Sequence, residues 1–446
     1  MNRFRLLALL VLVALAFGAV GPISAQEPIT VTWWTEPLEA PVIEHIQKTF
    51  VDAFNAEHAD IKLELIPQEN LNDALRPAIQ AGAAPDIIQT PGASYVKEYF
   101  DAGFILSLAP YADQFGWADK LLPWAYNSGI FEGELYSIPL TYESMVLIYN
   151  KTLFEENGWT PPTTLEEMET LATTMDEMGI VPFAYGNVGW QPTNEHLLGI
   201  YWNNYAGPEN VYKALIGEKP WTDPEFVEAT NLLTKHMVDN GWFGGSIEMY
   251  YTLDWDGFWS MLVNKEGGMM MIGTWGFRGA VDYFTDSDSD WDWAPLPPFS
   301  DMAGEYNYEL ATGSTLSINA ASPNPDAAAE VLNYLLSDKK RALEVAAGSA
   351  FGEFVVPLRY EVADFPEGTD ERLVRFFVDF AEVTGEGRYG YTTWTFWPAK
   401  PNVQLWEAIE NVWAGELSAE DYLAEHQALW DEARAEGKTL VIPERD

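Results

Sequence analysis

Apolar residues first fall into a regular pattern at residues 29–34, Ile29-Thr30-Val31-Thr32-Trp33-Trp34, where β-branched and aromatic side chains predict a strand. Residues 41–55 place apolar side chains at Val42, Ile46, Phe50, Val51 and Phe54, the spacing of a helix. Residues 61–66 alternate as a second strand. Residues 71–81 read as a second helix, and Asp86-Ile87-Ile88 as a short third strand. Strand, helix, strand, helix, strand predicts an α/β fold, a mainly parallel sheet with helices on both faces. In such sheets small molecules meet the loops beyond the carboxyl ends of the strands. Those loops are Thr35-Glu36, Pro67-Gln68-Glu69 and Gln89-Thr90-Pro91.

A different rhythm follows. Gly133-Glu134-Leu135-Tyr136-Ser137-Ile138-Pro139 leads through Leu140-Thr141-Tyr142-Glu143-Ser144 into an apolar strand that ends Tyr149-Asn150-Lys151. Pro161-Pro162 then punctuates the chain. Thr163 or Thr164, with Glu166 and Glu167 behind it, caps a helix that runs to about Met178.

The first residues carry a separate message. Arg3 and Arg5 precede an apolar run over residues 6–20, and Ile23-Ser24-Ala25-Gln26 offers a small-residue cleavage site after Ala25. This is the pattern of a secretory signal peptide at residues 1–25. A membrane anchor is the competing reading, but the run is about 15 residues where a spanning helix needs about 20. The mature chain is expected outside the cytoplasm. The sequence contains no Cys, so it has no thiol for a lipid anchor or a disulfide, and its stability must come from its core. A mature length of about 420 residues can bury a large core and usually divides into two domains.

Charge narrows the partners. The 24 basic and 68 acidic residues, less the two leader arginines, leave a mature net charge of −46. Nucleic acid and anionic membranes both need a basic patch, and none is present. The acids are spread along the chain as a solvated coat. Aromatics reach 14%, with 19 Trp, 21 Tyr and 23 Phe, more than a core alone requires. Flat side chains with polar edges suit the CH-rich faces of sugar rings.

The stretch from Tyr136 to Glu167 resembles the central segment of the maltose-binding and related family 1 solute-binding proteins of ABC importers. The shared marks are a Pro-containing hinge, a strand ending Tyr-Asn-Lys, then Gly, Pro-Pro and Thr-Thr before an acidic helix start. Three further stretches agree with the family in its order: residues 264–275, residues 313–324, and residues 403–423 with the closing helices. The resemblance implies a two-lobed fold like that of periplasmic binding proteins, each lobe a mainly parallel sheet flanked by helices. Hinge strands would cross near residues 140–143, 296–298 and 343–348. The first lobe would hold residues 26–140 and 299–343, the second residues 144–296 and 349–446. It further implies a carbohydrate ligand in the cleft, delivery to the transmembrane subunits of an ABC permease, a monomer, no cofactor and no catalysis.

A sugar site needs aromatic faces and groups that bond hydroxyls. Trp33, Trp34 and Glu36 end the first strand, and alternation sends one Trp to the core, leaving Trp34 and Glu36 toward the cleft. Gln68 and Glu69 follow the second strand, and Thr90 ends the third. Tyr142 and Glu143 lie in the hinge segment. Glu143 stands seven residues before Asn150, the spacing of a cleft Glu in the resembling family; bonding only to backbone is the alternative. Trp190 and Trp275 look like the family's aromatic positions in the second lobe, and Arg278 lies just beyond, either in the cleft or at the surface. Tyr389, Tyr391, Trp394 and Trp397 form a late cluster that offers a capping aromatic, with Tyr391 and Trp394 put forward. Phe351 and Glu353 are further candidates.

Two other motifs fail. Asp286, Asp288, Asp290 and Asp292 alternate like a calcium loop, but Trp291 and Pro297 stand where Gly and Glu are needed. The five His show no zinc spacing. Two alternatives remain: a binding protein for a polyamine or peptide, and an exported glycoside hydrolase. A hydrolase needs two carboxylates about 5 to 10 Å apart.

Overall fold

The computed structural model describes residues 27–352, 354–443 and 445. The leader expected at residues 1–25 lies outside them, as does Glu353. The chain opens with the five expected elements, β1 (Ile29–Thr35), α1 (Ala40–Ile46), β2 (Ile61–Pro67), α2 (Leu71–Gln80) and β3 (Ile87–Pro91). α1 continues through a π turn at Gln47–Val51 into Asp52–Glu57, so the helical pattern is met over its whole length. β1 lies between β2 and β3 and parallel to both, with Trp33 opposite Leu65 and Ile87. Alternation separates the two tryptophans: Trp33 is fully buried and Trp34 partly exposed. Asp86 locks this edge. Its carboxylate accepts from Thr32 N and Oγ1 at 2.9 Å and from Ser322 Oγ at 2.6 Å.

After α3 (Ala93–Asp101), the short strands β4 (Ile138–Pro139) and β5 (Tyr142–Glu143) carry the chain to β6 (Met145–Asn150). A second body follows: α4 (Leu165–Glu177), β7 (Val181–Phe183), α5 (Thr193–Tyr201), α6 (Pro208–Leu215), α7 (Trp255–Val263), β8 (Gly267–Gly273), α8 (Gly276–Phe284) and β9 (Trp291–Ala294). Thr164 caps α4, accepting from Glu167 N, while Thr163 donates to the Glu167 carboxylate at 2.8 Å. The second sheet runs β9-β6-β8-β7. Every residue of β6 and β8 is buried, which explains their unbroken apolar runs. Only β7 and β8 are parallel; β6 is antiparallel to β8 and β9. The mainly parallel pairing expected of both sheets thus holds for β2-β1-β3 and not here. The reason is topological. β6 arrives straight from the first body, so it starts at the shared boundary, with Met145 opposite Gly273, and runs away from it.

The remaining elements are β10 (Tyr308–Thr312), β11 (Ser314–Ile318), α9 (Pro325–Leu336), α10 (Lys339–Ala347), α11 (Glu371–Gly385), β12 (Tyr389–Tyr391), α12 (Thr393–Phe396), α13 (Ala399–Trp413) and α14 (Ala419–Ala435). β11 completes the first sheet, β2-β1-β3-β11-β4, while β10 centres a third, β12-β10-β5. Gly313 alone joins β10 to β11, so the chain changes sheets there. The proline-rich stretch 295–298, where a crossing was expected, is followed by residues still packed on the second body: Phe299 N donates to Asn204 O at 2.6 Å. The expected third crossing at 343–348 also comes later. Phe354 stacks on Trp33 at 5.5 Å, and Pro357 O accepts from Leu122 N at 2.7 Å. Prolines and glycines mark bends without saying which body the bend returns to. α11 fills the junction of the sheets, with Phe377 and Phe380 against Tyr142 and Phe376 against Trp293 and Tyr308.

Candidate functional site

A chain of short contacts links the two bodies where β1, β3 and β11 meet β5 and β8. Trp33 Nε1 donates to Gln89 Oε1 at 3.1 Å, Gln89 Nε2 donates to Ser314 Oγ at 3.1 Å, and Ser314 Oγ donates to Glu36 Oε1 at 3.1 Å. Burial raises the Glu36 carboxyl above its ordinary value, against the pull of Ser314 and Gln89. One residue earlier, Gly313 leaves room for the other acid: a Cβ there would fall 2.2 Å from Glu143 Oε1. Beyond Glu143, Ser144 O accepts from Thr274 N at 2.9 Å, and Trp275 follows at the start of α8. Glu36, Glu143 and Trp275, distant in sequence, therefore lie along one continuous path.

Trp275 stands in an aromatic group. Its ring meets His196 of α5 at 5.2 Å and Trp394 of α12 at 5.6 Å, and His196 meets Trp394 at 4.9 Å, all edge to face. Burial pushes His196 down to about 3, so its ring is neutral and packs as an aromatic. The neighbouring Glu195 is buried, with Thr393 and Asn402 beside it. Burial pushes its carboxyl up to about 8 against the pull of these two, so it is mostly protonated at neutral pH and can donate. Tyr95 of α3 stands between the bodies, 42% exposed. Burial raises its hydroxyl first, then the charge of Glu195, with Glu36 adding a smaller share, which puts an acid from each body in its field. Uncharged rings beside carboxyl and hydroxyl groups can hold a neutral ring compound by its faces and its polar edge.

The other expected residues are placed less uniformly. Gln68 is partly exposed at the end of β2, its N donating to Thr35 O at 2.9 Å. Trp34 packs partly against the apolar cluster of the first body that includes Leu71, Leu75 and Val96. Trp190 is 60% exposed on the loop after β7, which runs parallel to β8 and so ends at the same edge as Trp275. Arg278 reaches from α8 to pair with Glu39 and lies 3.6 Å from Asp282. Four expectations are corrected. Thr90 is buried, its hydroxyl 2.8 Å from that of Thr315 within the sheet. Tyr142 is buried against Phe377 and Phe380, because alternation along β5 sends it opposite to Glu143. Tyr391 is buried on Tyr212 and Phe396, its hydroxyl donating to Pro443 O at 3.2 Å. Phe351 packs on Phe365 and Phe377.

Tyr95, Glu195 and His196 were missed. A signal for two of them exists: α5 is buried throughout, yet it carries Asn194, Glu195 and His196 in succession. Polar groups in a buried helix need a reason. Among the described residues no group of His, Asp and Glu side chains can hold a metal ion. A surface groove of about 620 Å³, lined by Phe365, Val374 and Val378 among others, lies on the outer side of α11, away from these groups.

Known proteins are similar to this chain in sequence and in fold. The family described as bacterial extracellular solute-binding protein matches residues 35–342. The maltotriose-binding protein of Pyrococcus abyssi is 23% identical over 332 residues, 74% of this chain and 67% of its own. The diacetylchitobiose binding protein of Streptomyces coelicolor is 25% identical over 299 residues, 63% of this chain and 61% of its own. Among solved structures, a chitin oligosaccharide binding protein superposes with a TM-score of 0.76 at 18% identity, over 92% of this chain and all of that one. A maltose-bound protein of T. maritima gives 0.71 at 19% identity, over 91% and 99%. These neighbours have two lobes, which the two bodies here match. The chain belongs to the bacterial extracellular solute-binding protein family.

Proposed function

We propose that the chain binds a neutral carbohydrate between its two lobes and presents it to the transmembrane subunits of an ABC permease. The observation that carries this reading is the aromatic group of Trp275, His196 and Trp394, next to Glu195 and on one path with Glu36 and Glu143, while the expected cation Arg278 is paired with Glu39. Sugar rings lie on the aromatic faces, and the carboxyl groups take their hydroxyls. Relatives named for maltotriose and diacetylchitobiose support a saccharide of two or more rings. Binding without turnover fits a family of binding proteins. The contacts support a first lobe of residues 27–140 with about 314–360, and a second with the rest. The protein acts outside the cytoplasm as a monomer, held by no lipid on Cys.

Closure follows from the same geometry. Glu36 belongs to one lobe, Trp275 and Glu195 to the other, so a ligand touching all three favours the closed form. A thermal-shift screen against saccharides, polyamines and peptides tests the reading. A specific saccharide raises the melting temperature by mass action. A shift with polyamines or peptides alone transfers the function to that class, and loss of saccharide to products identifies a hydrolase.

A further inference from the structure

Residues 438–443 and Arg445 make contacts that the ligand site does not use. α14 ends against the second lobe, where Arg434 Nη1 donates to Gly217 O at 3.2 Å just past α6. Gly437, at φ 68°, turns the chain out of the helix, and residues 438–443 continue without regular structure. Leu440 then packs into the apolar cluster of the first lobe, built by Leu71 and Leu75 of α2 and Val96 and Tyr99 of α3. Lys438 lies in the field of Asp101, the last residue of α3. The chain next returns to the second lobe. Pro443 O accepts from Tyr391 Oη at 3.2 Å, and the Arg445 guanidinium covers Tyr389 at 4.8 Å and lies 3.5 Å from Glu209 of α6.

We propose that residues 438–443 are a clasp, fixed at both ends to the second lobe, whose Leu440 grips the first lobe and restrains the cleft from opening. The restraint follows from connectivity. The covalent links between lobes pass through β4–β5, through Gly313 and through the stretch after Pro357. Leu440 adds a non-covalent link to the first lobe's apolar cluster. When the lobes part, a segment held at both ends by one of them must withdraw Leu440 from its apolar seat, and that exposure disfavours opening. Because a ligand's apparent affinity scales with the population of the competent form, the clasp raises affinity without touching ligand. It also accounts for Tyr391, which anchors the clasp instead of the sugar.

The test needs no ligand, so it succeeds or fails independently of the carbohydrate reading. The chain has no Cys, and Asp60→Cys with Glu177→Cys therefore places one spin label on an exposed site of each lobe. The inter-label distance distribution is measured in this background, with Leu440→Asp, with a stop after Gly437, and with Val441→Asp at the neighbouring side chain, which is 46% exposed. Leu440→Asp and the truncation are expected to shift the distribution to longer, broader distances, while Val441→Asp leaves it unchanged. Melting curves establish that each variant is folded, and Leu440→Ala replaces Leu440→Asp if the latter is not. An unchanged distribution in the Leu440 variant and the truncation, or the same shift with Val441→Asp, overturns the clasp.

Discussion

Trp275 and Trp394 stand edge to face with ring centroids 5.6 Å apart and planes at 78°. One lies two residues past the end of β8 in the second sheet, and the other lies on α12, close to α3 of the first lobe through the Ser94 Oγ bond to Trp394 O at 3.3 Å. Two crossed faces form a corner, and a corner fixes a ring's orientation better than one plane does. Trp275 is only partly buried, so its removal leaves most of the core intact. Trp275→Ala is expected to weaken saccharide binding by more than tenfold in calorimetric titration with little change in melting temperature. Unaltered affinity would put the site elsewhere.

Gly313 tests the acid beside that corner. Its missing side chain is the space that Glu143 occupies, since an added Cβ would come within 2.2 Å of the carboxylate oxygen. The carboxylate is the mobile end of a side chain and can swing away. Gly313→Ala should therefore lower affinity several-fold while costing little stability. A collapse in melting temperature with affinity retained would mean that the glycine serves the backbone crossing alone.

Buried carboxyl and imidazole groups predict an optimum in pH. Glu195 is pushed from 4.5 up to about 8, so between those values the folded protein holds a proton that the unfolded chain has released, and stability falls as pH rises. Glu309, also raised by burial, acts in the same sense. His196 and His426 are pushed from 6.5 down to about 3, so stability falls as pH drops through that window. Melting temperature should peak in mildly acidic buffer, and Glu195→Gln should flatten the alkaline side. An alkaline side as steep in the variant as in the parent would show that Glu195 carries no such proton.

The acidic coat makes salt a stabiliser. With 68 acidic and 24 basic residues, the folded chain repels itself. Raising ionic strength from about 0.01 M to about 1 M shortens the screening length from about 30 Å to about 3 Å. The melting temperature should climb across that range in sodium chloride, and a flat or falling curve would contradict this.

Periodicity made the first lobe legible. Alternation in β1 and β2 and the spacing in α1 are local properties, and they survive folding unchanged. The position of Trp275 at the end of an all-buried strand is legible too, because the apolar run stops just before it. Tyr142 points away from Glu143, as strand alternation already requires, because the two are neighbours on a strand and cannot share a face. Tyr391 and Thr90 were misplaced because their surroundings, the C-terminal segment and β11, arrive from far along the chain. The same distance hid the crossing at Gly313, since β10 and β11 read as one strand until their partners are known.

Whether a saccharide sits between the lobes is decided by a crystal structure with the saccharide that most raises the melting temperature. Sugar rings are expected against Trp275 and Trp394, with hydroxyls within hydrogen-bonding distance of Glu36 and Glu143 and the lobes closed around them. Saccharide bound away from these residues, or a cleft left empty at saturating concentration, would contradict it.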